Sequence, residues 1–298
     1  MPTGGELLFS KHHGAGNDFL VFEDLADRRR FSVPEVRALC DRHLGIGADG
    51  VLRLLAGRDG AALSMELQNG DGSDAEVSGN GIRCLVQAAV EAGLVREGTV
   101  VVRTAAGLRS VEYETLAPGL GRASVDMGPA TLGPELVLDE PPGVERARSV
   151  DMGNPHIVLF GKPVGEEVVG TVGGRLSRSV PRGANVEFAW RGGRPEALVA
   201  RVYERGVGET LACGTGACAV AAAAHEWGMV GNRVEVHLPG GSLGVDLSGA
   251  TIVLRGPTRK VAQVAVRESD LAELVGETSR WRAAGGPDGP STEAVGRL

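Results

Sequence analysis

Ser78-Gly-Asn-Gly-Ile-Arg-Cys-Leu-Val-Gln-Ala-Ala-Val-Glu-Ala-Gly-Leu-Val95 and Cys213-Gly-Thr-Gly-Ala-Cys-Ala-Val-Ala-Ala-Ala-Ala-His-Glu-Trp-Gly-Met-Val230 carry one pattern twice. One offset of 135 residues lays Gly79 on Gly214, Gly81 on Gly216, Glu91 on Glu226, Gly93 on Gly228 and Val95 on Val230. Nearly the same shift brings Gly47-Ala48-Asp49 onto Gly183-Ala184-Asn185, and Gly16-Asn17 onto Gly153-Asn154. A single long period marks two like domains rather than a solenoid of short repeats. Each copy predicts a helix, from about Asn80 to Ala92 and from about Thr215 to Trp227, opening on G-x-G and closing on a glycine at the C′ position. Ala217–Ala224 has almost no polar side chain, and a helix apolar on all sides belongs inside a wrapping sheet. Val100–Arg103 and Val234–His237 read as the strands that follow. The predicted fold is α/β (α+β): two pseudo-symmetric domains, each made of strands curled around a central helix.

The expected domains are residues 1–120 and 121–262, with 263–278 returning to the first and 279–298 a flexible tail. Within that ending, Ser269–Val275 predicts a short helix with Ser269 as N-cap and Gly276 just past its end. Thr278 onward is rich in Gly, Pro, Ser and Arg and reads as frayed chain.

Composition removes several function classes. The net charge of −7 argues against a binder of phosphate backbones, and 4% aromatic residues leave few platforms for stacking bases. No apolar run approaches the roughly 18 residues of a membrane span. Met1–Ser10 lacks the basic start and apolar stretch of a secretory signal, so a cytoplasmic location is expected. Cys40, Cys84, Cys213 and Cys218 form no CxxC pair, so neither a disulfide framework nor a metal site is expected. The 46 glycines are bunched in short polar clusters between apolar segments, which suits loops that admit a ligand close to the main chain.

The two glycine–helix junctions suggest chemistry. A helix N-terminus offers unpaired N–H groups and partial positive charge, a seat for a carboxylate. It also favours a thiolate, and Cys213 stands just ahead of Gly214-Thr215-Gly216. Cys40, Cys84 and Cys218 read as core residues. Two such junctions could clamp one carboxylate and place one side chain on each face of the adjacent carbon, the geometry of stereoinversion. The helix ends would stabilise the carbanion as charge moves onto the carboxylate. A pyridoxal route needs a Schiff-base lysine, and Lys11, Lys162 and Lys260 lie in no phosphate-binding context, so no cofactor is expected.

Six ordered motifs then carry a resemblance: Lys11-x-x-Gly14-x-Gly16-Asn17-Asp18-Phe19, Asn69-x-Asp71-Gly72-Ser73, Gly79-Asn80-Gly81-x-Arg83-Cys84, Gly153-Asn154-Pro155-His156, Gly183-Ala184-Asn185-Val186-Glu187, and Glu204-Arg205-Gly206-x-Gly208-Glu209-Thr210-x-x-Cys213-Gly214-Thr215-Gly216. Between Leu8 and Arg267 the chain resembles the diaminopimelate epimerases. The resemblance implies an active site in the interdomain cleft and cofactor-free, two-base interconversion of LL- and meso-diaminopimelate, an amino-acid substrate of lysine and peptidoglycan synthesis. It leaves a homodimer open and implies neither nucleic-acid nor membrane partners. By position, Asn17, Asn69, Asn154, Asn185 and Arg205 would bind the distal end of the substrate. Gly79-Asn80 and Gly214-Thr215 would hold the reacting carboxylate. His156 and Glu204 would be the polar partners of the catalytic side chains, Ser78 and Cys213.

Two positions depart from the family. Gly50 stands where a glutamine usually follows Gly-x-Asp, and Ser78 stands at the first catalytic cysteine. A serine hydroxyl is a far poorer base than a thiol. Ser78 is compatible with an engineered near-isosteric replacement, with a natural proton donor or relay, or with a related α-proton reaction on another amino acid that uses Cys213 alone.

Overall fold

The computed structural model describes residues 5–75, 78–138 and 142–284. By contacts the chain divides into two units, the first holding 5–14, 18–123 and 257–284, the second 15–17 and 124–256. Residues 285–298, most of the expected tail, lie outside the described residues.

In the first unit the strands are β1 (Glu6–Gly14), β2 (Asn17–Glu23), β3 (Gly50–Ala56), β4 (Leu63–Asn69), β5 (Asp74–Ala75), β6 (Gly98–Thr104) and β7 (Gly107–Ala117), with helices α1 (Val33–Cys40) and α2 (Gly79–Glu91). Strands β2 and β3 are parallel, β3 and β4 antiparallel, and β4 runs parallel to β6. Strands β1, β3, β4 and β7 pack on α2. The chain leaves along β8 (Leu120–Asp126).

The second unit continues with β9 (Thr131–Glu135), β10 (Val144–Asp151) and β11 (Pro155–Gly161), then the short helices α3 (Glu166–Val168) and α4 (Gly174–Ser179) flanking a π-helical turn. Next come β12 (Asn185–Arg191), β13 (Ala197–Glu204), β14 (Gly208–Thr210), helix α5 (Gly214–Glu226), β15 (Arg233–Leu238) and β16 (Gly241–Asp246). Here β11 is parallel to β12, and β13 to β15. Strands β10, β11, β12, β13, β15 and β16 all touch α5. Residues Ala217 to Ala224 of this helix are buried, as its composition requires.

Strand register displays the duplication directly. Leu67 pairs with Ala75 and Gln68 with Asp74, while 135 residues later Val202 pairs with Thr210 and Tyr203 with Glu209. Val51 faces Gln68, and Val186 faces Tyr203. This register corrects the sequence alignment of the 47–49 and 183–185 loops by one residue, making Gly50 rather than Asp49 the counterpart of Asn185. Ladder pairing fixes which face each side chain takes, whereas loop glycines can slide.

The C-terminal helix differs from its expected bounds. After β17 (Val253–Arg267), helix α6 runs Glu268–Ala283, capped at Arg267 rather than Ser269 and continuing through Gly276. Leu271 is buried with the Phe9, Leu20, Phe31, Val36 and Leu39 cluster, and Leu274 and Val275 pack against it. Farther along, Arg282 lies 3.7 Å from Asp41 and the Trp281 ring 6.0 Å from His43. These contacts outweigh the roughly 1 kcal/mol that an interior glycine costs a helix, so 278–283 is helix rather than frayed chain.

Candidate active site

Ser78 and Cys213 occupy the same structural position in their respective units. Each is the N-cap of its central helix, with φ/ψ of −137°/116° for Ser78 and −121°/118° for Cys213. Ser78 Oγ accepts from Gly81 N–H at 2.9 Å and Cys213 Sγ from Gly216 N–H at 3.4 Å. Both helices end alike, on Gly93 (φ +73°) and Gly228 (φ +69°).

Around Cys213 the second unit gathers most of the candidate residues. Thr215 Oγ1 is 3.4 Å from the sulfur, and Asn185 Nδ2 lies 4.0 Å from it. Asn154 donates from Nδ2 to Thr215 Oγ1 at 3.5 Å and contacts His156 Nε2 through Oδ1 at 3.1 Å. Asn185 accepts from the backbone N–H of Arg205 at 2.9 Å, and Arg205 Nη1 donates to the Arg182 carbonyl. Gly183 (φ +73°) makes that possible, because a Cβ there would stand 2.7 Å from Arg205 Cδ. Glu204 accepts from Thr210 Oγ1 at 2.5 Å. Asn17 groups with this unit, where neighbouring Gly16 rests against Leu211 and Gly240.

The first unit supplies a sparser set. Asn80 is buried and accepts from Arg83 Nη2 at 2.7 Å, while Arg83 Nη1 donates to the Gly79 carbonyl. Asn69, at the end of β4, donates to Ser73 Oγ at 3.1 Å. At Gly50 a Cβ would come within 2.6 Å of the Gln68 carbonyl oxygen, so no side chain enters there without a backbone shift.

One residue of the site escapes sequence reading. Glu187, fully buried, places Oε1 2.7 Å from His156 Nδ1. The same oxygen would lie 2.8 Å from a Cβ on Gly216. Its position two residues after Asn185 on β12 puts both on the face toward α5, while Val186 and Phe188 face the outer core. The Gly183-Ala184-Asn185-Val186-Glu187 motif contains it, but a glutamate in an apolar strand gives no hint of its partner.

The electrostatics correct one expectation. Cys213 lies with its thiol held well above the ordinary range, first by burial and then by the charges of Glu204 and Glu187; hydrogen bonds from Thr215 and Gly216 oppose this without prevailing. The helix end therefore does not by itself produce a thiolate in the unliganded protein. Cys40 and Cys84 are buried, their thiols raised to about 12 mainly by desolvation, and Cys218 is buried within α5. All three are core residues, as expected.

Among the described residues no group of three or more His, Cys, Asp or Glu side chains could hold a metal ion, and no helix is long and apolar enough to cross a membrane. A hollow of about 920 Å³ in the second unit, bordered by Arg194, Glu235, Gly244 and Arg255, contains none of the candidate residues.

Strands wrapped around one helix in each unit make a fold shared with solved structures. The hydroxyproline epimerase from Agrobacterium vitis, solved with bound trans-4-hydroxy-L-proline, superposes with a TM-score of 0.72 at 17% identity, covering 94% of this chain and all of that one. The chain belongs to the diaminopimelate epimerase family, whose pattern matches residues 9–133 and 148–261, and it is accordingly an isomerase. Diaminopimelate epimerase from Pelotomaculum thermopropionicum is 38% identical over 86% of this chain and 97% of its own length. That from Synechocystis is 39% identical over the same shares.

Proposed function

We propose that the protein converts LL-2,6-diaminopimelate to meso-2,6-diaminopimelate by proton transfer at the α-carbon, without a cofactor. The matched N-caps carry this reading. Two side chains in one backbone geometry, each at the N-terminus of a helix, suit a substrate α-carbon approached from both faces, its carboxylate seated on Gly79-Asn80 and Gly214-Thr215. Asn17, Asn69, Asn154, Asn185 and Arg205 hold the distal amino-acid end, and His156 and Glu204 serve the proton-transfer groups. Burial and the charges of Glu204 and Glu187 push the Cys213 thiol up, which favours its beginning on this side as the acid. Helix-end N–H groups stabilise the charge that develops on the carboxylate. The same reading places the enzyme in the cytoplasm as a homodimer, which light scattering of the purified chain tests.

The decisive experiment follows α-hydrogen exchange from both isomers in deuterated water. Exchange from LL- and meso-diaminopimelate is expected. Ser78→Cys should raise epimerisation by about 10²-fold or more, the usual contribution of a positioned acid–base group. Absence of exchange from either isomer, before and after that substitution, would overturn the assignment.

A second reading has one observation behind it. Ser78 offers a hydroxyl, intrinsically a weak base, at the N-cap where the other unit carries the Cys213 thiol. A chain in which only the Cys213 face exchanges protons, acting on diaminopimelate slowly or on another amino acid, would show exchange without net inversion.

A further inference from the structure

The second unit contains a continuous hydrogen-bonded line that ends on the catalytic thiol and begins on a residue without a role so far. His156 Nδ1–H donates to Glu187 Oε1 (2.7 Å), His156 Nε2–H donates to Asn154 Oδ1 (3.1 Å), Asn154 Nδ2 donates to Thr215 Oγ1 (3.5 Å), and Thr215 Oγ1 lies 3.4 Å from Cys213 Sγ. We propose that Glu187 is a positioning residue for the reaction: its carboxylate locks the His156 ring, the ring orients Asn154, and Asn154 orients the Thr215 hydroxyl against Cys213. This rests on the function proposed above.

Three observations support it. Glu187 and His156 are fully buried, so the pair does not owe its geometry to chance meetings on a mobile surface. Glu187 Oε2 is buried with no hydrogen-bond partner among the described residues. A buried carboxylate oxygen left unpaired costs free energy, and folds retain such groups mainly where they serve a function. The repeat supplies a control built into the same chain. Leu52 is the register counterpart of Glu187, and its Cδ2 lies 3.3 Å from the Cβ position of Gly81, as Glu187 Oε1 lies 2.8 Å from that of Gly216. The fold therefore takes leucine at this place, and the second unit keeps a carboxylate there without any need of packing.

The consequence is a chemical inequality between the halves. Cys213 faces Glu187 from β12, Glu204 from β13 and, through Asn154 and Thr215, the His156 ring from β11. Both carboxylates favour the protonated thiol, which makes the Cys213 half the donor side at rest.

Glu187→Gln tests this with readouts that need no substrate. In the parent protein, nuclear magnetic resonance should show a strongly deshielded His156 Nδ1–H proton, the mark of a short bond to a carboxylate. Its absence would overturn the proposal even if no variant folds. In Glu187→Gln that signal should be lost, and the pH midpoint for alkylation of Cys213, followed by peptide mapping, should move lower. The turnover number should drop by roughly 10²-fold, the scale of an ångström of misplacement, with KM little changed. Glu187→Asp, which keeps the charge on a shorter arm, should restore the alkylation midpoint more than the turnover. A folded Glu187→Gln protein with unchanged alkylation profile and turnover would show that the carboxylate only fills space. Because alkylation and resonance are independent of the reaction, failure of the diaminopimelate assignment would leave both intact.

Discussion

Gly81 and Gly216 hold the same place in their helices, yet an alanine would meet different neighbours. At Gly216 its methyl would lie 2.8 Å from Glu187 Oε1, and at Gly81 it would meet Ser78 Cβ at 3.2 Å and Leu52 Cδ2 at 3.3 Å. Crowding of the N-cap is common to both, so the comparison isolates the carboxylate. Gly216→Ala should displace Glu187 from His156 and lower turnover by about 10²-fold. Gly81→Ala should lose far less, and its stability should change by about 1 kcal/mol or less because helix propensity offsets the tight contact. Steady-state kinetics with urea unfolding of both variants checks this. At this scale the sequence was only half legible. The two N-caps and the residues on G-x-G junctions could be read, because backbone chemistry dictates them. The His156–Glu187 pair could not, since it joins residues 31 apart on neighbouring parallel strands, and nothing local announces such a contact.

At the scale of elements, helices α2 and α5 lie within a residue of their expected bounds, because caps and C′ glycines are local signals. Helix α6 was misread for the complementary reason. Gly276 looks like a stop, but Leu271, Leu274 and Val275 dock on the α1 side of the core, and contacts distant in sequence carry the helix past it. Gly276 is absent from the residues of positive φ, and a Cβ there would meet only the flexible end of Arg280 at 3.3 Å. Gly276→Ala should therefore stabilise the protein by up to about 1 kcal/mol, seen as a raised thermal midpoint. Destabilisation would indicate a helix that ends where the sequence suggested. Leu271→Ala, which empties a buried site, should cost about 2–5 kcal/mol.

Across the whole molecule the duplication governs architecture while its two copies diverge in what they bury. Where α5 carries Thr215, Cys218 and Ala222, α2 carries Asn80, Arg83 and Gln87, and the first unit surrounds them with polar groups. His12 is buried with Nδ1 3.1 Å from Gln87 Oε1, and Gln87 also accepts from the Thr258 hydroxyl. Burial is the main force holding the His12 pKa below its ordinary 6.5; Lys260 and His13 add to it, while Gln87 and Glu91 oppose it. The sign of the linkage follows. Above pH 6.5 both folded and unfolded chains carry a neutral His12, and as pH falls below 6.5 the unfolded chain takes the proton first. Stability should then decline until the lower folded-state value is reached and level off with respect to this group. Acid carboxylates act at lower pH. Burial works to raise Asp18, Asp24 and Glu35, but Arg42 with Lys11, Arg53 with the Arg28 and Arg29 backbone, and Arg29 with Ser32 outweigh it, so all three are held below their ordinary values. Their contribution is present above about pH 4 and is lost as pH falls through their depressed values. Urea midpoints measured from pH 7.5 to 3 should therefore show two declines. His12→Met, which fills the same space with an apolar side chain, should flatten the first and leave the second in place; a first decline that survives His12→Met would assign it to another group.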